Sequence, residues 1–244
     1  TSITGADAYK ILYKSYDSQG KATESTGLVI APSTAGDNRK VMTWAHGTTG
    51  MGDASCPSAQ EDPARELTLY FKSGSTTPID YGLPGLQGFI DDGYVVVATD
   101  YQGIGTPGIH QYTNNITNAI DSVTIVQAAR ELPVGAGNKF GFIGWSQGGG
   151  ATIAAASLPD YQALQGTAAD NLQYLGFVAL APEDVAAMLP NVPTDEAGAK
   201  KLMNSFTQAN VPNVFLFAHY MMGLWGTQAA FPDLKLSDVL TDEG

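Results

Sequence analysis

The chain has 244 residues, 43% of them hydrophobic, enough to bury the core of one domain or of one domain carrying an insertion. Its 12 Lys and Arg against 24 Asp and Glu give a net charge of −12, a field that repels phosphate backbones and anionic lipid, so no nucleic-acid partner is expected. The longest apolar stretch, residues 211–225, is broken by Pro212, Asn213, His219 and Gly223 and falls short of the ~20 residues that cross a bilayer, so no transmembrane segment is expected.

The N-terminus has neither a basic region nor an apolar h-region, so a signal peptide has been removed or was never present. Charged residues make up only 15% of the chain, a composition that leans towards a secreted or periplasmic protein. Cys56 stands alone; this excludes an internal disulfide, leaves no cysteine cluster for a metal, and in a secreted chain calls for a partner elsewhere. No metal or cofactor is expected.

In chain order, residues 9–16 and 22–30 flank Asp17-Ser18-Gln19-Gly20, whose turn chemistry predicts an antiparallel hairpin. Residues 41–45 and 94–99 read as short buried strands that run into polar loops, the first at His46-Gly47-Thr48-Thr49-Gly50 and the second at Asp100. Ile116, Ile120, Val123, Val126 and Arg130 recur at three- and four-residue steps and predict a helix, with Thr117 and Asn118 as candidate caps and Pro133 as its stop. A strand at 139–143 meets a small-residue helix at 149–157, and another strand at 174–180 leads into a helix start at 183–189. Alternating strands and helices predict a mostly parallel, doubly wound sheet. From residue 190 the pattern is helical throughout, at 196–210, 213–228 and 234–240. The expected division is therefore a core over 1–189 and a helical cap or lid over 190–244.

Gly144-Trp145-Ser146-Gln147-Gly148 falls at the junction of strand 139–143 and helix 149–157. The five letters alone are weak, but a strand ending at the first Gly and a helix opening at the Ser is the context a nucleophile elbow requires. Glycines two residues either side let neighbouring backbone approach, and the helix N-terminus below favours the charge that develops when an acyl carbonyl is attacked. Ser146 is the expected nucleophile. The backbone N–H of Gln147 is the expected first oxyanion donor, and Thr48, in the loop after the third strand, is the candidate for the second. Asp100 stands at the carboxyl end of a central strand, where open α/β sheets bind ligands. It is read either as a protonated hydrogen-bond donor or as an organiser of its loop.

A serine nucleophile needs a base, and the chain has three histidines. His46 reads as a structural residue of the oxyanion loop, His110 as a solvated or loop-packing residue of a surface loop, and His219 as a residue of the apolar cap helix. Asp184, after the sixth strand, is a weak candidate for the acid, with helix capping as its alternative. Met221, Met222, Leu224 and Trp225 read either as an apolar lid lining or as plain cap packing. An α/β-hydrolase brings its acid and then its histidine on strands after the serine, whereas only six strands are found here.

Four segments together resemble the secretory lipase family of fungi and bacteria, an α/β-hydrolase group that includes the yeast lipase A type. They are residues 46–50 leading to Cys56-Pro57-Ser58, residues 93–97 leading to Asp100-Tyr101-Gln102-Gly103-Ile104-Gly105, the 144–150 elbow, and the cap with Phe231-Pro232-Asp233-Leu234. The resemblance implies an α/β-hydrolase fold, a Ser-Asp-His triad working through an acyl-enzyme, a lid over an acyl pocket, and Asp100 lying against the oxyanion site. It also implies that the C-terminal strands, the triad acid and histidine and a partner for Cys56 lie outside these 244 residues. A second fragment carrying them is then an expected partner. The expected function is a serine carboxylester hydrolase, a lipase or esterase, acting on small-molecule or lipid esters. The alternatives are a serine peptidase on the same fold and a non-catalytic binding protein.

Overall fold

In the computed structural model, which describes residues 3–69, 81–157, 172–183, 191–235 and 237, the hairpin opens the sheet as the sequence predicts. Strands β1 (Ala6–Tyr16) and β2 (Ala22–Pro32) pair antiparallel along their whole length, and the Asp17 carboxylate closes the turn by accepting the N–H groups of Gln19 and Lys21. Strands β3 (Arg39–Ala45), β4 (Val95–Thr99), β5 (Ala136–Trp145) and β6 (Gln173–Leu180) complete a six-stranded sheet in the order β1-β2-β4-β3-β5-β6. β4, β3, β5 and β6 are parallel neighbours; β2 meets β4 antiparallel.

The apolar runs of the central strands are continuous because both faces of the sheet are covered. Val95 and Val97 join Val29, Val41, Phe140 and Phe142 in one core, whereas Val96 and Ala98 join Leu28, Ile30 and Trp44 in the other. The second core is closed by two short helices in the β3–β4 crossover, α1 (Pro63–Glu66) and α2 (Leu86–Asp91). Each is too short to show helical periodicity in the sequence.

The first core is closed by α3 (Asn115–Arg130) and α4 (Gln147–Ser157). The cap of α3 is neither of the residues expected. Asn114 accepts the Thr117 N–H, whereas Thr117 and Asn118 are buried inside the first turn, with the Thr117 hydroxyl donating to Gln111 Oε1 at 2.7 Å. α3 also carries Asp121 into the interior. Its carboxyl takes hydrogen bonds from the Ser15 hydroxyl and, at 2.8 Å, from the Gln102 N–H, and burial pushes it up to about 7.

Two of the helices expected after residue 190 are present. α5 (Glu196–Asn210) and α6 (Val214–Ala230) are capped by Asp195 and Asn213 and joined by a hydrogen bond between the Thr207 and Tyr220 hydroxyls, 2.8 Å apart. α6 rests directly on the core: a Cβ at Gly226 would collide with the backbone of Tyr112, and Gln19 Nε2 donates to the Ala230 carbonyl at 2.6 Å. The expected helix at 183–189 lies outside the described residues beyond Glu183, as does most of 234–240. Among the described residues no helix is long and apolar enough to cross a membrane.

Candidate active site

The carboxyl ends of three adjacent parallel strands converge on one region. β3 delivers His46 to Gly50, β4 delivers Asp100, and β5 delivers Ser146. β3 lies between β4 and β5, so the chain departs from it in both directions. Such a switch point leaves a crevice at the strand ends, where α/β sheets place their ligands.

Ser146 occupies the strained turn between β5 and α4 with φ +52°, a left-handed conformation that non-glycine residues avoid. The turn is accommodated because the residues two positions to either side lack side chains. A Cβ at Gly144 would collide with the Gly148 carbonyl, and one at Gly148 with the Ala45 carbonyl. The Ser146 N–H donates to the Leu180 carbonyl at 3.0 Å, and the Ser146 carbonyl accepts from Glu183 N–H at 2.8 Å. The half-buried serine is thus tied to the end of β6, and the opening of α4 is pressed against the start of the loop after β3.

Within that loop the Thr48 hydroxyl lies 2.9 Å from the Tyr112 hydroxyl, and the Glu183 carboxyl lies close to the same phenol. Glu183 is largely buried, and desolvation pushes it up to about 6. Tyr112 therefore stands between Thr48 and Glu183, and the Glu183 N–H bonds back to the Ser146 carbonyl. Asp100 is buried, with Oδ1 accepting the Ser58 N–H at 2.9 Å and Oδ2 accepting the Cys56 thiol at 3.3 Å. Both oxygens act as acceptors that hold the 56–58 turn against the end of β4. Cys56 is buried as well, and desolvation beside Asp100 raises its thiol.

Each histidine ring has a structural hydrogen bond. His46 is buried, its Nδ1 2.6 Å from the Gly47 carbonyl and its ring 4.5 Å from that of Tyr101, in keeping with a structural residue of the loop. His219 bonds back to the Phe215 carbonyl at 2.8 Å, one turn earlier in α6. His110 corrects the surface-loop expectation: it is 0% exposed, between the Gln102 carbonyl and the Gln147 side chain. The loop that carries it turns inward because Tyr101, Gly103 and Gly105 all take positive φ.

The family model described as secretory lipase matches residues 70–207, more than half of the chain. The chain belongs to the secretory lipase family. Comparison with curated protein sequences returns no significant match. Among solved structures, Candida antarctica lipase A is 17% identical with a TM-score of 0.59 over 93% of this chain and 46% of its own length. A ligand-bound form of the rice cell wall degrading esterase LipA from Xanthomonas oryzae is 18% identical with a TM-score of 0.53, over 97% of this chain and 62% of its own. The likeness extends to the fold, an α/β-hydrolase, and the chain spans about half the length of these structures.

The chain also holds features that the sequence did not disclose. A cavity of about 240 Å³ lies between α5, α6 and the core, lined by Glu183, Leu202, Phe206, His219, Leu224 and Thr227 among others. Of the four residues expected to face a lid pocket, only Leu224 lines it. The cavity-facing stripe of α6 runs Leu216, His219, Tyr220, Gly223, Leu224 and Thr227, and Met221, Met222 and Trp225 fall off it. Asp184, the candidate acid, lies outside the described residues.

Proposed function

We propose that this chain carries the nucleophile and the oxyanion hole of a secreted serine carboxylester hydrolase, with the triad histidine and acid supplied from outside these 244 residues. The observation that carries the reading is Ser146 itself, held at positive φ between β5 and α4 by glycines that no side chain could replace. Ser146 Oγ attacks the acyl carbonyl carbon and gives its proton to the external histidine. The oxyanion is received by the backbone N–H groups of Gln147 and Thr48, with Asp100 behind them. Collapse releases the alcohol with that proton, and water then cleaves the acyl-enzyme to free the acid. His46 and His110 do not serve as the base, because their rings are buried in structural hydrogen bonds.

The test is hydrolysis of p-nitrophenyl esters of graded acyl length, set against peptide p-nitroanilides, by the enzyme with its complete triad. Ester turnover that disappears in Ser146→Ala is expected. Thr48→Pro, which removes the N–H, is expected to lower kcat by about 10²–10³, whereas Thr48→Ala keeps the N–H and loses far less. Preferential cleavage of the anilides would make the enzyme a peptidase. Turnover surviving Ser146→Ala would remove the serine from the mechanism.

A further inference from the structure

Gln147 opens α4 and is followed by Gly148, Gly149 and Gly150, so the first turn of the helix consists mostly of the residue type that holds a backbone least firmly. Close packing demands these glycines: Cβ atoms at 149 and 150 would run into Pro182 and Glu183. Packing of that kind excludes side chains without supplying an anchor. Gln147 is the one residue of this turn with a side chain, and it is 1% exposed.

That side chain ends on His110, with Gln147 Nε2 2.8 Å from His110 Nε2. The other ring nitrogen, Nδ1, lies 2.9 Å from the Gln102 carbonyl. A carbonyl can only accept, so Nδ1 bears the proton and Nε2 presents the lone pair that receives the Gln147 amide. Burial keeps the ring neutral: desolvation, with His46 nearby adding to it, holds the imidazolium down to about 4. The ring is also stacked on Tyr101, 5.6 Å away at 17°. Gln102 is fixed in its turn by its N–H bond to Asp121. A buried line therefore runs from α3 through the 102–110 loop to the residue after the nucleophile.

We propose that His110 is a positioning residue for the oxyanion-binding N–H of Gln147, acting through the Gln147 side chain. The inference rests on reading Ser146 as an acyl-transfer nucleophile. An oxyanion donor works by being already in place when charge develops, so freedom at the first turn of α4 translates into lost transition-state stabilisation with little change in substrate affinity.

The first experiment does not require activity. In ¹⁵N-labelled protein, His110 should show a protonated Nδ1 and an unprotonated, hydrogen-bonded Nε2. His110→Phe, which keeps a ring and removes both bonds, should speed hydrogen exchange at the Gln147 amide by about tenfold or more, and His110→Gln should restore most of the protection. Unchanged Gln147 exchange in a folded His110→Phe protein overturns the proposal. Should that variant fail to fold, Gln147→Leu cuts the same bond from the other side, and unchanged exchange at residue 147 there overturns it equally. In the enzyme with its complete triad, His110→Phe should lower kcat about tenfold with KM within about threefold, and Gln147→Leu added to it should cost less than it does alone. Equal and fully additive losses would overturn the coupling. If no ester is turned over by the parent enzyme, the reading of Ser146 falls, and the exchange measurement still decides the role of His110.

Discussion

Everything that shapes the turn at Ser146 is local: two glycines, a strand before and a helix after. The contacts around it are not. The bonds that hold His110 to Gln147 and Tyr112 to Thr48 join positions 37 and 64 residues apart, and no periodicity or motif records such a pairing. Asp121 was hidden for the same reason, and it carries a testable electrostatic signature. Its carboxyl titrates near 7 in the folded protein against an ordinary 3.8, chiefly through desolvation, with the neighbouring charge of Asp17 adding to it. Between those values the folded state holds a proton that the unfolded chain has released, so stability is lost as pH rises through the window. Asp121→Asn can preserve both bonds, with its Oδ1 accepting from Gln102 N–H and its Nδ2 donating to Ser15. The variant should gain on the parent protein by an amount on the order of 4 kcal/mol between pH 4 and pH 8. Urea midpoints at the two pH values check this, and parallel curves for the two proteins would refute it.

At the scale of elements, the strands were readable because burial on both faces makes their apolar runs continuous, and α5 was readable between its cap and its loop. The start of α3 was misread because residues 113–118, Thr-Asn-Asn-Ile-Thr-Asn, offer several capping side chains in succession. Only burial of Thr117 and Asn118 against the core decides for Asn114. The seating of α6 was equally invisible, since Gly226 in an apolar helix looks like a flaw. Its missing Cβ is what lets the helix lie on the Tyr112 backbone. Gly223, one turn earlier, provides the control, because a Cβ there would meet only Thr113 Cγ2 at an ordinary 3.7 Å. Replacing a helical glycine by alanine normally stabilises by about 0.5–1 kcal/mol. Gly223→Ala should follow that rule and raise Tm slightly. Gly226→Ala should lower Tm and speed proteolysis within 191–235. Equal Tm gains in both variants would mean that the cap is not seated on Tyr112.

For the whole molecule, alternating elements gave a doubly wound sheet, but the order β1-β2-β4-β3-β5-β6 became known only from the strand pairing. That order is what gathers the ends of β3, β4 and β5 at one crevice and makes a site of three loops separated by about fifty residues each in the chain. What the gathering leaves open is the base. The three histidines make hydrogen bonds to Gly47, to Gln102 and Gln147, and to Phe215, and the chain spans about half the length of the lipase A structure whose fold it shares. The proposed Ser146 nucleophile takes its histidine and acid from elsewhere, and intact-mass measurement of fluorophosphonate labelling tests this. Slow, substoichiometric labelling of the 244-residue chain is expected, rising to one adduct at Ser146 once the segment bearing the histidine and acid is supplied. Rapid stoichiometric labelling of the 244-residue chain alone would contradict it.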